Sequence, residues 1–192
     1  MFRELLVREF GPFGTLSSRQ LDSLEAHFEL LMRWNSRINL TRILKLDEIV
    51  RFHYCESLFL ASRIPTGPSR VVDIGSGAGF PGFPLAVYRP DLRVTLMESH
   101  RRKAVFLSQA CQGIGNIAVS PTRAEQCKER YDWVVSRAVA PSEVLSFGLA
   151  PNCALLIGED DLSALPEPRT VEKIPWGSRR LLVMFHVEHD TI

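Results

Sequence analysis

The segment Asp73-Ile74-Gly75-Ser76-Gly77-Ala78-Gly79-Phe80-Pro81-Gly82 constrains the fold more than any other part of the chain. It follows the short apolar run 71–74 and opens a helical segment, so it reads as a tight strand-to-helix turn. Glycines let the backbone approach a ligand closely and adopt positive φ. In a parallel sheet, ligands sit at the carboxyl ends of strands, near the point where strand order reverses. The pattern departs from a dinucleotide fingerprint: the glycines run G-x-G-x-G, and Phe80 holds the sixth place. Asp73, two residues before the first glycine, suits an amino group far better than a pyrophosphate. Glu98, which ends the next apolar run, is placed to accept hydrogen bonds from ribose hydroxyls.

The rest of the chain supplies the frame for such a loop. Ser17-x-x-Gln20 is a capping-box pattern, and Leu21, Leu24, Phe28, Leu31 and Trp34 follow at helical spacing. A second helix is expected from about Asp47, with Ile49, Val50, Tyr54, Leu58 and Ala61 on its buried side. Pro65-Thr66-Gly67-Pro68 then marks a turn. Short apolar runs follow at 71–74, 93–97, 116–119, 132–136, 153–157, 171–174 and 181–187. The first five are separated by segments long enough for crossover helices, of which 101–112 is the clearest. Alternating strand and helix implies an α/β fold: a Rossmann-like, mostly parallel sheet of about seven strands with helices on both faces. The last two runs lack a helix between them and read as a hairpin-like antiparallel edge. The expected organisation is a helical extension, 1–68, packed on a core, 69–192, as a single compact unit.

Composition narrows the function classes. The formal net charge is +1, so any nucleic acid must meet a local patch rather than a global polycation. Nineteen of the 23 basic residues are arginine, whose planar fork suits phosphate, although GC-rich codons give the same bias. No apolar run is long enough to span a bilayer, and the charged first ten residues resemble no signal peptide, so a cytoplasmic protein without membrane contact is expected. Cys55, Cys111, Cys127 and Cys153 form no C-x-x-C pair, and His186-x-x-His189 lacks further ligands, so no metal site is expected.

Asp73, the glycines and Glu98 together look like the class I pattern for S-adenosyl-L-methionine. A closer resemblance lies in longer pieces of the chain. These are Trp34-Asn35 with Ile38-Asn39-Leu40-Thr41, His53 to Leu58, Asp73 to Leu85, Glu98 with Arg102-Lys103, Arg123-Ala124-Glu125, and Asp132 to Ala140. On these pieces the chain resembles the bacterial 16S ribosomal RNA (guanine-N7)-methyltransferases. The resemblance implies cofactor contacts at Gly75, Phe80, Ala124, Glu125 and Arg137, beside Asp73, Gly77 and Glu98 from the loop itself. It implies 16S ribosomal RNA or the small ribosomal subunit as partner; a monomer is expected, although the sequence does not itself give the oligomeric state. Three features depart from the family, one being the end Phe185-His186-Val187-Glu188-His189 in place of a lysine-bearing tail. Glu56 stands where aspartate is common, and Ile157-Gly158, followed by Glu159-Asp160-Asp161, stands where Lys-Gly is common.

Guanine N7 carries an in-plane lone pair and needs no deprotonation, so no catalytic base is expected and catalysis reduces to alignment. His53, Arg101, Arg102, Lys103 and Arg137 are the candidate RNA contacts, with Arg179-Arg180 of similar standing. Each has a structural alternative. His53 could tie the N-terminal helices to the core, Arg137 could pair with Asp132 or Glu98, and the 101–103 cluster could be a solvated helix face. Two other functions remain open at this point: a class I methyltransferase with another substrate, and a non-catalytic cofactor- or RNA-binding relative.

Overall fold

The structure is a computed structural model that describes residues 1–165, 167 and 170–187. The apolar runs form β1 (Ser69–Ile74), β2 (Leu92–Met97), β3 (Ile117–Ser120), β4 (Trp133–Arg137), β5 (Asn152–Gly158), β6 (Thr170–Lys173) and β7 (Arg180–His186). They make one sheet in the order β3-β2-β1-β4-β5-β7-β6. β1 to β5 are parallel; β7 runs antiparallel to both β5 and β6 and lies between them. The α/β expectation holds, including the antiparallel edge. Strand order reverses between β1 and β4, and this is where the glycine loop leaves the sheet.

Helices α1 (Phe2–Phe10), α2 (Ser18–Asn35), α3 (Leu46–Ile49) and α4 (Glu56–Arg63) precede the sheet; α5 (Gly82–Tyr88), α6 (Arg101–Ala110) and α7 (Pro141–Ser146) lie within it as crossovers. The capping box is present: Gln20 N donates to Ser17 Oγ at 3.3 Å and Ser17 N to Gln20 Oε1 at 2.8 Å. The Gln20 amide also donates to Val87 O and Tyr88 O at 3.1 and 3.2 Å, so the cap joins α2 to the end of α5.

Alternation along the strands splits the core in two. Val71, Leu92, Val94, Leu96, Val135 and Leu156 face α1, α2, α4, α5 and α6. Val72, Ile74, Val134, Leu155, Ile157 and Val183 face Val144 of α7 and the surrounding loops. One departure from the expected helices lies between β3 and β4, where only a 3-10 turn, Ala124–Gln126, occurs. Residues 121–130 begin with proline and contain no apolar stripe for a helix to bury. A second departure is α1, whose Phe2, Leu6 and Phe10 are buried at helical spacing. Burying side chains of this size stabilises by about 1.5–3 kcal/mol each.

Between α3 and α4 the chain forms a π-helical turn, Val50–Cys55. From His53 to Ala61 every residue is buried, so this helix is enclosed on all sides rather than along one stripe. It carries His53 and Glu56 to the carboxyl edge of the sheet. No helix among the described residues is long and apolar enough to cross a membrane.

Candidate cofactor and substrate site

The site is built on the loop after β1. Gly75, Gly77 and Gly79 have φ of +69°, +57° and +90°, a left-handed conformation costly for other L residues. The N–H groups of Gly75 and Ser76 donate to Met97 O at 2.9 and 3.1 Å, and Gly77 N donates to Glu98 Oε2 at 2.9 Å. The other Glu98 oxygen accepts from His100 N at 2.7 Å. Glu98 therefore fastens the glycine loop to the end of β2 with both of its oxygens.

Asp73 is fully buried beneath the loop rather than in the open cleft. Its Oδ2 accepts from Gly82 N at 2.9 Å, while its Oδ1 is buried without a hydrogen bond. Burial raises its pKa to about 7, against the opposing pull of the Gly82 N–H. Gly82 is required here, because a Cβ would lie 2.7 Å from that carboxylate oxygen.

Phe80 is also interior. Its ring stacks on His53 at 4.7 Å between centroids, and the Arg137 guanidinium lies 5.2 Å from its centre. His53 hydrogen-bonds Thr41 Oγ1 at 2.7 Å, which ties the segment after α2 to the π turn, and burial lowers its pKa to about 3. The ring also borders the larger cavity described below. The expected partners of Arg137 are not the ones found. Asp132 accepts from Arg70 N, and Glu98 accepts from the loop backbone. Arg137 instead donates to Phe52 O at 2.6 Å and lies 4.0 Å from Glu56. Burial brings the Arg137 pKa down to about 10, offset in part by Glu56.

Glu56, in the sequence only a departure from the family, organises this corner. It is fully buried, and its Oε2 accepts from Arg180 Nη2 at 2.5 Å. A buried carboxylate needs such a cation, and the pair joins α4 to β7. His27 escapes sequence reasoning altogether. Its Nε2 donates to Ala78 O at 3.0 Å and its Nδ1 accepts from Tyr54 OH at 2.7 Å, so a neutral ring supports the glycine loop from below. No local pattern marks it, since its partners lie 27 and 51 residues away.

Two cavities open at the carboxyl edge. The smaller, about 160 Å³, is bordered by Gly75, Glu98, Ala124 and Glu125. The larger, about 960 Å³, is bordered by Arg42, Arg137, Arg179 and Arg180, with Asp161 and Trp176. Val139 borders both. Its Cγ2 lies 2.6 Å from where a side chain on Gly75 would begin, and its neighbour Ala138 has φ of +64°. A non-glycine residue in that region is strained, and such strain gathers at functional loops. Arg101 and Arg102 are exposed, Lys103 is half-buried, and none of the three borders either cavity. His186 hydrogen-bonds Asn152 Oδ1 at 3.0 Å, while His189 lies outside the described residues.

A glycine loop at the strand-order switch, fastened by an acid at the end of the next strand, defines the Rossmann-like class I methyltransferase fold. Solved structures share it. A SAM-dependent methyltransferase from Aquifex aeolicus matches with a TM-score of 0.59 at 12% identity, over 73% of this chain and 93% of that one. A SAM-dependent O-methyltransferase from Thermotoga maritima matches with a TM-score of 0.56 at 14% identity, over 84% and 73%.

The family model described as rRNA small subunit methyltransferase G (GidB) matches residues 20–151, and the chain belongs to this family. Relatives called ribosomal RNA small subunit methyltransferase G are 40% identical in Desulforamulus reducens and 42% in Roseiflexus castenholzii. The matches cover 74% and 73% of this chain, and 63% of the length of each relative.

Proposed function

We infer that this chain is an S-adenosyl-L-methionine-dependent methyltransferase acting on N7 of a guanine in 16S ribosomal RNA. The observation that carries the reading is the pair of adjoining cavities, one against the glycine loop and Glu98, the other lined by arginine and meeting the first at Val139. It is supported by membership of the rRNA small subunit methyltransferase G family.

The residues present fit the cofactor. Apart from its chain neighbours, the nearest atom to a Cβ built on Gly77 is Gly75 O at 3.7 Å, so the loop offers open backbone to a ligand. Asp73 borders neither cavity and serves from beneath, where its Oδ2 holds Gly82 N and so the end of the loop. Glu98 accepts ribose hydroxyls on the lone pairs its two backbone bonds leave free. Ala124 and Glu125 border the adenine end. Bound there, the cofactor supplies a methyl group already activated by its sulfonium.

The chain's own residues then have only to bind, orient and exclude water. Arg137, held by Phe52 O and set against Phe80, presents its guanidinium at the wall of the larger cavity. Holding reactants in line is worth about 7–11 kcal/mol, enough to serve a nucleophile that needs no base. His53 acts by holding the π turn and the Phe80 ring in place. The protein works as a monomer in the cytoplasm, on 16S RNA or the small subunit. A thermal melt tests the cofactor class. S-adenosylhomocysteine at a hundredfold excess over its Kd stabilises by about 2.7 kcal/mol, while NAD leaves the melt unmoved. Stabilisation by NAD alone overturns the reading.

A further inference from the structure

The larger cavity contains one carboxylate among its arginines. Asp161 follows β5, and its Oδ2 lies 3.7 Å from where a side chain on Gly158 would begin, which places it over the end of that strand. Its neighbours in sequence are engaged: Arg179 forms an ion pair with Asp160 and lies 3.9 Å from Glu159. Asp161 makes no hydrogen bond or ion pair among the described residues, although Arg179 and Arg180 border the same cavity. Asp161 is exposed, so its carboxylate is open to a ligand that is negative at one place, to meet the arginines, and donates protons at another.

An RNA base with its phosphates meets that description, and guanine does so best. It exposes acceptors at N7 and O6, and donors at N1 and N2 on the edge away from N7. In sheet order the glycine loop leaves β1, Val139 follows β4 and Asp161 follows β5. Asp161 therefore lies two strands from the loop, about 10 Å at the usual strand spacing. A base whose N7 points back toward the loop directs its N1–H and N2–H groups toward β5. Trp176, half-buried at the same wall, offers an aromatic surface of the kind on which unstacked bases rest.

The geometry points to Asp161 as the group that reads the N1–H and N2–H edge of the target guanine, a specificity residue on the side of the pocket opposite the cofactor. This rests on the guanine-N7 reading above. It also gives the acidic exit of β5 a role where the family resemblance leads one to expect a lysine.

The test uses 16S RNA assembled by ligation with guanosine or inosine at the position methylated by the unaltered enzyme, offered naked and reconstituted into the small subunit. Inosine keeps N7, O6 and N1–H and lacks only the N2 amino group. For the unaltered enzyme, kcat/KM is expected to fall about 10- to 100-fold with inosine, the worth of one hydrogen bond to a charged acceptor. For Asp161→Ala the guanosine-to-inosine ratio is expected to fall toward one, and for Asp161→Asn, which keeps a neutral acceptor, to lie between. A ratio near one in the unaltered enzyme, or the same large ratio in all three proteins, overturns the role of Asp161 while leaving guanine methylation standing. No methyl transfer to either RNA by the unaltered enzyme overturns the functional reading itself, and this proposal with it.

Discussion

Gly77 donates its backbone N–H to the Glu98 carboxylate at 2.9 Å, so the acid expected to hold a ribose also holds the loop in shape. The two roles are coupled. In Glu98→Gln the amide group faces one of two N–H donors that formerly met oxygen, at a cost of about 1–3 kcal/mol. Titration calorimetry with S-adenosylhomocysteine should show affinity at least tenfold weaker, and the melt should fall in parallel. Weaker binding without a lower melt would mean that Glu98 serves the ligand alone.

The glycines of the loop differ in what excludes a side chain. At Gly77 a Cβ meets no crowding but φ is +57°, and the proposed function gives that space to the cofactor. Gly77→Val should abolish cofactor binding at a stability cost of about 1–2 kcal/mol. At Gly75 the obstacle is Val139, so Gly75→Ala should be partly rescued by Val139→Ala. A double-mutant cycle of melting temperatures measures this, and strict additivity would show that the two residues do not touch.

Arg137 and Arg180 share Glu56 unequally, which separates their variants. Arg137→Ala leaves Glu56 paired with Arg180 and should destabilise by only about 1–2 kcal/mol, while methyl transfer falls more than a hundredfold. Arg180→Ala leaves the fully buried Glu56 with a cation 4.0 Å away. Because Arg180 itself is partly exposed, the cost should lie near the lower end of the range for breaking a buried pair, about 3 kcal/mol. Parallel melts and rate measurements check the order. Equal stability loss in both variants contradicts it.

His27 provides a signature in pH. Its folded pKa, about 3, lies below the ordinary 6.5 because the ring is buried. Below pH 6.5 the unfolded chain therefore binds a proton that the folded chain refuses. The stability carried by neutral His27 is complete above 6.5 and is lost as pH falls toward 3, at up to about 1.4 kcal/mol per pH unit. Relative to His27→Gln, the parent protein should lose its advantage steadily on acidification. A stability difference independent of pH would show that the ring titrates normally.

The Arg101, Arg102 and Lys103 cluster lies at the start of α6, outside both cavities, with no ion pair among the described residues. If these side chains hold RNA phosphates, replacing all three with alanine should weaken RNA binding while leaving cofactor affinity alone. The slope of log affinity against log salt should flatten by roughly 0.7 for each phosphate that the protein no longer neutralises. An unchanged slope makes the cluster a solvated helix face and directs attention to Arg42 and Arg179.

What can be read from the sequence is local. The glycine loop and the capping box of α2 each declare themselves within a few residues and have the expected geometry, and Glu98 follows β2 as expected, but its two bonds to loop backbone carry no sequence signal. The contacts set by tertiary packing cannot be read. Asp132 and Glu98 are the reasonable acids for Arg137 by proximity along the strands, but strand ends and loop backbone claim them, and Glu56 arrives from α4. The sequence places Asp73 beside the ligand; strand alternation sets it on the same side as Val71, under the loop. The π turn that carries His53 and Glu56 has no pattern distinguishable from an ordinary buried helix.

The most direct measurement is nucleoside analysis of 16S ribosomal RNA from a strain lacking this protein, before and after incubation with purified enzyme and S-adenosyl-L-methionine. One guanosine per RNA should be absent from the 7-methylguanosine pool of the deficient strain and enter it on incubation, and Gly77→Val protein should fail to restore it. Methylation of another atom or another base, or unchanged 7-methylguanosine in the deficient strain, would contradict guanine-N7 methylation by this protein.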